Sequence, residues 1–408
     1  MEAAAVERGA GKVCRLDAST TGDRWLSVGS SAALDSTRAG EEAARRALGR
    51  HDDPCLLMVF CSATRDPHQV LAGINVASGG VPVIGCSSSA VIAPEGPSPE
   101  GIVAVALGGT GLSAATGVAR GLTRRQRDAG ATVAGCATTL PERRHQVLVL
   151  LTDGLASGQE EILAGAYSVV GASMPLVGGT SSPDGPLRQT FELYADEVLT
   201  DAVVGAAIAS DGPFGIGIRH GWRKVGEPMI VTRSVNGNVQ TLDDRPALPT
   251  YLERLGAPPE AYADPAAFEL FCRTRPIGIR RRSGEEVRNV SSVANFRKGW
   301  LRSSGEVPEG SLVWLMEGDE SSVLEAAGDA CRDAVDALGG VPAIGLLAFD
   351  CESRGGLLGA EGTRHEASLM ARQAAGVPVA GFYTWGEIAR IRGINGYHNQ
   401  TLAVLAVA

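Results

Sequence analysis

Apolar residues in this chain come in short runs, too brief for helices and bounded by glycine or proline, which is the pattern of buried strands. Leu56 to Phe60, Val147 to Leu151 and Ile344 to Phe349 are three such runs. Each is followed by a helical span (Gln69 to Ala77, Gln159 to Val170, Arg364 to Ala375) and then by a second strand carrying a proline. Those second strands, Gly80 to Gly85, Ser173 to Gly178 and Val377 to Gly381, lead into polar tips. The tips read Cys86-Ser87-Ser88-Ser89, Gly179-Thr180-Ser181-Ser182, and Tyr383-Thr384-Trp385 with Glu387. Lacking a Cβ, the glycine is expected to end its strand in a sharp turn. A closing apolar strand follows each tip, at Gly101 to Leu107, at Asp201 to Ile208, and after Tyr397-His398-Asn399-Gln400.

Upstream of each run lie one more strand and one more helix. They are Trp25 to Val28 with Ser36 to Leu48, Leu112 to Val118 with Gln126 to Thr138, and Leu312 to Met316 with Ser321 to Leu338. The self-similarity predicts an α/β protein with mixed sheets covered by helices, built from repeated β-α-β-α-β-β units. A β-rich insertion, Ala209 to Gly310, displaces the third unit. Within it Met229 to Thr232 and Val239 to Leu242 flank Asn236-Gly237, a hairpin signal because both turn positions tolerate positive φ. Helices are expected at Pro246 to Leu255 and Pro265 to Arg273, and strands at Ile277 to Arg280, Val287 to Val293 and Trp300 to Leu301.

Composition narrows the picture. At 408 residues the chain exceeds one typical core, so two or more packed domains are expected. A net charge of −9 argues against a nucleic-acid footprint. The first residues have no apolar core for a signal peptide, and no apolar run is long enough to span a membrane. The 8 cysteines are scattered without a C-x-x-C pair, so reduced buried thiols in a cytoplasmic protein are expected.

Taken in order, several stretches resemble the FIST family of bacterial sensory proteins. They are Val83-Ile84-Gly85-Cys86-Ser87-Ser88, Leu176-Val177-Gly178-Gly179, Asn236-Gly237-Asn238, Pro246-Ala247-Leu248, Val307-Pro308-Glu309-Gly310, Asp350-Cys351 with Arg354, Gly386-Glu387-Ile388 and His398-Asn399-Gln400-Thr401. The resemblance implies a FIST N-terminal domain over 23–248, after a flexible tail at 1–22, and a FIST C-terminal domain over 249–408. It also implies an intracellular sensor of a small ligand, with amino acids the usual suggestion. Some members look like haemoproteins that sense nitric oxide and control a histidine kinase, so haem and such a partner are the alternative. No output domain is evident in the sequence, so a separate partner is expected.

The polar tips supply the candidate ligand groups, each with a structural alternative. Cys86, Ser87 and Ser88, with Thr180 and Ser181, offer hydroxyls and backbone N–H groups suited to a carboxylate or phosphate, or they satisfy their own turns. Gly85 to Ser89 also approaches the G-x-S-x-G nucleophile elbow but has Ser89 for the last glycine. Glu387, in an apolar setting, must be paired, by a ligand ammonium or by Arg354, Arg390 or Arg392. Tyr383 and Trp385 wall a pocket or belong to the core. Arg354, beside Cys351, grips a carboxylate or forms a salt bridge. His398, with Asn399, ligates haem iron or a ligand, or makes a structural hydrogen bond. Cys86 and Cys351 are also the candidate nucleophiles of an enzymatic reading. Gly215 and Gly217 imitate part of a dinucleotide fingerprint that lacks its third glycine.

Overall fold

In the computed structural model, which describes residues 24–183, 189–281, 284–291, 294–390 and 396–408, the repeated unit recurs three times. Unit one comprises β1 (Trp25–Ser31), α1 (Ser36–Leu48), β2 (Pro54–Ser62), α2 (Pro67–Ser78), β3 (Val83–Ser88), a small hairpin of β4 (Val91–Ala93) and β5 (Gly96–Ser98), and β6 (Ile102–Gly108). Unit two repeats the order as β7 (Leu112–Arg120), α3 (Gln126–Ala134), β8 (His145–Thr152), α4 (Gln159–Val170), β9 (Leu176–Thr180), the hairpin β10 (Glu192–Tyr194) and β11 (Glu197–Leu199), and β12 (Ala202–Ser210). The expected tail at 1–22 lies outside the described residues.

Unit three begins earlier than its sequence suggests. Its first strand is β13 (Phe214–Arg219), paired antiparallel with the last strand of the chain. The glycines of the imitation fingerprint sit there because a Cβ at Gly215 or Gly217 would meet the Ala334 or Ala330 carbonyl oxygen at 1.9 and 2.0 Å. They let a helix lie on the strand.

The insertion then runs through β14 (Arg223–Val235), β15 (Asn238–Leu242), β16 (Arg245–Pro246), α5 (Ala247–Arg254), α6 (Pro265–Cys272), β17 (Ile277–Arg281), β18 (Gly284–Arg288), β19 (Leu301–Arg302) and β20 (Leu312–Glu317). Leu312 to Met316, expected to open unit three, is therefore part of the insertion's sheet. The hairpin turn is as expected, with φ of 49° at Asn236 and 71° at Gly237. Unit three resumes with α7 (Glu320–Asp336), β21 (Gly345–Cys351), α8 (Glu352–Gln373), β22 (Val379–Thr384), the hairpin β23 (Glu387–Arg390) and β24 (Tyr397–His398), and β25 (Leu402–Val407).

Each unit makes a sheet ordered first, last, second, third strand, and each is completed by a hairpin from another unit. β10 of unit two pairs with β3, β23 of unit three with β9, and β4 of unit one with β22. The exchange closes a ring around a pseudo-threefold axis. Inner faces of all three sheets share one core containing Phe60, Leu151, Phe349 and Phe382, and each outer face is covered by its own helices. The insertion has a separate core around Tyr251 and Phe268.

Gly85, Gly178 and Gly381 do not end their strands; β3, β9 and β22 run through them. Each faces the neighbouring parallel strand so closely that a Cβ would stand 2.2 Å from Val59 O, 2.0 Å from Leu150 O or 1.7 Å from Ala348 O. Close approach of backbones, not a turn, is what these glycines permit.

Candidate functional site

Pairing through these glycines places equivalent residues of the three units at equivalent heights, and the polar tips meet at the axis. Ser88 Oγ donates to Tyr383 O at 2.9 Å, and Ser182 Oγ donates to the same oxygen at 2.7 Å. Ser182 N donates to Ser87 O, Ser89 N to Ser182 Oγ, and Phe191 N to Ser87 Oγ. These hydroxyls are buried and join one unit to the next. Thr180 Oγ1 alone among them has no partner within the described residues. The tips thus converge in a filled junction. Burial raises the Cys86 thiol well above its ordinary pKa, and nearby Glu192 adds to the shift.

One step along each exchanged hairpin stands Val91, Glu192 or Glu387, opposite the residue that follows the strand glycine. Two of the three equivalent positions therefore carry a fully buried carboxyl. Ser181 Oγ donates to Glu192 at 2.8 Å, and the equivalent Thr384 Oγ1 donates to Glu387 at 2.5 Å. Thr401 adds its N–H and hydroxyl to Glu387 at 3.0 and 2.7 Å. Burial pushes Glu387 up to about 7 and Glu192 well above the carboxylate range. Neither ion-pairs with Arg within the described residues: Arg390 lies over the Tyr167 ring, and Arg392 is outside them.

Arg354 is also buried. Its guanidinium bonds Asp350 at 2.7 Å, Glu366 at 2.5 Å, His220 O and Val323 O. It ties α8 to α7 and to the loop after β13, which is the salt-bridge alternative. One guanidinium serves two carboxyls, and Asp350 Oδ2 and Glu366 Oε2 lack partners within the described residues. Burial, then Asp350, raises Glu366 well above its usual value.

The open space lies beside the junction. A cavity of about 880 Å³ sits between unit three and the insertion. Cys351, Tyr383 and Trp385, three of the residues expected from sequence, line it. So do Glu269, Arg273, Asn289, Glu352, Arg364 and Tyr397, which sequence reasoning did not select. Trp385 Nε1 donates to Glu352 Oε2 at 2.5 Å, fixing a carboxylate against the indole edge. Gly355, Gly356 and Gly359 leave backbone as wall, and α8 breaks at Gly359 (φ 63°). The run Glu352-Ser353-Arg354-Gly355-Gly356 was the available signal: two glycines opening a helix cost stability unless something needs their missing side chains. Asn399 donates from Nδ2 to Trp385 O and accepts from Ser304 Oγ, bracing this wall from behind. Cys351 is 1% exposed, and burial, then Glu387, lifts its thiol well above the ordinary range.

His398 faces a second cavity, of about 430 Å³, on the other side of β24. Its Nε2 must donate to Ala389 O at 3.1 Å, and burial drives its pKa down to about 4. Arg219, Arg223, Glu285, Glu325 and Asp329 line the same space. With Nε2 given to Ala389 O only Nδ1 keeps a lone pair, and the charged walls of this space do not supply the apolar cover that a haem ring needs.

Comparison with known proteins matches the FIST N domain to residues 55–245 and the FIST C domain to residues 247–390. An uncharacterized protein of Mycobacterium tuberculosis is 31% identical over 241 residues, which is 56% of this chain and 60% of that protein. One from Mycobacterium bovis is 30% identical over 241 residues, 56% of this chain and 59% of its own length. One from Methanocaldococcus jannaschii is 24% identical over 173 residues, 40% of this chain and 33% of its own. The matched stretch thus spans at most 60% of these relatives.

Proposed function

The chain belongs to the FIST family, whose domains serve sensing and signal transduction, and on that premise we propose that it binds a small polar metabolite, amino-acid-like, in the 880 Å³ cavity. The observation that carries this reading is the cavity itself. It is concave, walled by Tyr383, Trp385 and Tyr397, and supplied with both carboxylate and guanidinium groups. Its wall is built from both FIST domains' elements: Ser89, Ala90, Pro97, Pro99 and Gly154 come from units one and two, the rest from unit three and the insertion. Ligand bound there bridges the insertion and the three-unit ring, which is a route from occupancy to altered domain contacts. A separate signalling protein, such as a histidine kinase, is the proposed recipient.

A thermal-shift screen against amino acids and small acids tests the proposal. A ligand at a hundred times its Kd stabilises the fold by about 2.7 kcal/mol, enough for a clear rise in melting temperature. Gly356→Leu serves as the control, because a Cβ at Gly356 meets only Arg273 Cδ, at 4.0 Å, and a larger side chain projects into the open space. The expected result is a ligand-dependent shift in the native protein that Gly356→Leu removes while keeping its ligand-free melting temperature. A shift that survives Gly356→Leu unchanged moves the site elsewhere.

A further inference from the structure

Among the described residues buried charge is one-sided. Asp153, Glu192, Glu286, Asp350, Glu366 and Glu387 are buried, against Arg288 and Arg354. Glu286 has both Arg288 and Arg281. Of the other five acids, four stand behind wall residues of the large cavity, and Glu366 bonds Arg354. Asp153 precedes the wall residue Gly154, whose N–H bonds Ser181, itself bonded to Glu192. Asp350 precedes the wall residue Cys351, and Glu387 holds the wall residue Thr384. Of these five, only Asp350 and Glu366 touch a guanidinium, and they share it. Asp153, Glu192 and Glu387 have no ion-pair partner among the described residues; hydroxyls and backbone N–H groups hold them instead.

Glu192 and Glu366 keep their protons at neutral pH and Arg354 balances Asp350, so the negative potential there comes from Glu352 on the wall and from Glu387 as it ionises. The wall also carries the aromatic rings of Tyr383, Trp385 and Tyr397, and Glu352 locked to the Trp385 N–H. Ring faces and a fixed carboxylate are the groups that receive an organic ammonium. The cationic lining groups, Arg273 and Arg364, are both exposed to solvent and come from the ends of α6 and the outer part of α8.

From this asymmetry we propose that the group recognised in the cavity is an organic ammonium, seated at the Trp385–Glu352 end, and that a ligand carboxylate is dispensable. The inference rests on the cavity being the ligand site, as proposed above. It goes beyond that reading by assigning the charge and the end of the molecule that binding requires. An alkylammonium with no carboxylate enters; the matching carboxylate with no amine meets Glu352 and is refused.

Calorimetry and thermal shift at neutral pH and low salt, on the full chain, decide it with three probes of one chain length: butylammonium, butyrate and γ-aminobutyrate. Butylammonium and γ-aminobutyrate are expected to bind with similar affinity and butyrate not at all. Glu352→Gln is expected to weaken both amines by about tenfold or more, and Trp385→Phe, which keeps an aromatic ring and removes the N–H, to weaken them less. Added salt should weaken amine binding. Binding of butyrate with no binding of butylammonium overturns the inference and leaves the cavity proposal standing. The same holds if γ-aminobutyrate binds and butylammonium does not, or if amine affinity is unchanged in Glu352→Gln. If none of the three probes binds, and no amino acid or small acid binds in the broader screen, both readings fall together.

Discussion

Glu387 shows how far a single residue could be read. Its apolar surroundings demand a partner, and the candidates were a ligand ammonium or an arginine. The structure supplies neither: two threonines and a backbone N–H hold it. Those threonines lie three residues before it and fourteen after, the second on the far side of a hairpin, so no local spacing marks them. Its pKa in the fold, about 7, is above the ordinary 4.5, so the folded state retains a proton that the unfolded state gives up. The resulting stability is present below about pH 4.5 and is lost as pH rises through 7, by roughly 3 kcal/mol in all. Chemical denaturation at a series of pH values should show Glu387→Gln flattening this segment of the profile. His398 works the other way: its pKa falls to about 4, so acid below its ordinary 6.5 favours the unfolded, protonated form. The strand glycines were legible as special and misread in kind, because a sequence signals the missing Cβ and not what stands in its place. Gly381→Ala puts a carbon 1.7 Å from Ala348 O and should lower unfolding free energy by about 3 kcal/mol or more in urea titrations, since backbone must shift.

Among elements, long periodic segments were read well. α1 and α4 fall at the residues expected, as does the Asn236-Gly237 hairpin, whereas the second strands start later and run on through their glycines. The exchanged hairpins, with strands of two to four residues, were missed, since so short a piece shows no alternation. Their partners were invisible for a stronger reason: each pairs with a sheet of another unit, a long-range choice made by complementary edges. β13 was missed because the insertion separates it from its helix, and its two glycines imitated a phosphate-binding loop. The exchange makes the hairpins structural joints. Leu193, fully buried in β10 against β3, should cost about 2–5 kcal/mol when truncated to alanine. Because it belongs to unit two and packs in the helix-covered layer of unit one, hydrogen exchange should report loosening of α1 and α2 as well as of the hairpin. Loosening confined to β10 and β11 would contradict the joint.

Across the molecule, three repeats, mixed sheets and a β-rich insertion were all present in the sequence pattern. Missing were the ring and the side on which its open space lies. Hydroxyls at the three tips were candidate ligand groups, but three tips brought together satisfy one another. The insertion packs chiefly beside unit three and puts the cavity there, and so Cys351, Tyr383 and Trp385 line it while Ser87, Thr180 and Glu387 do not. With sheets completed by one another's hairpins, the three units should melt in one cooperative transition. Native-state hydrogen exchange checks this: amides of β2, β8 and β21 are expected to share one global opening energy, and separate values would deny the interlock.

The most direct test of the account is hydrogen–deuterium exchange of the full chain with and without a ligand found by thermal shift. Protection is expected at 289–291, 351–364 and 383–385, the segments that wall the off-axis cavity. Protection centred instead on 218–223 and His398, or confined to the axial tips at 87–88 and 180–182, would contradict it.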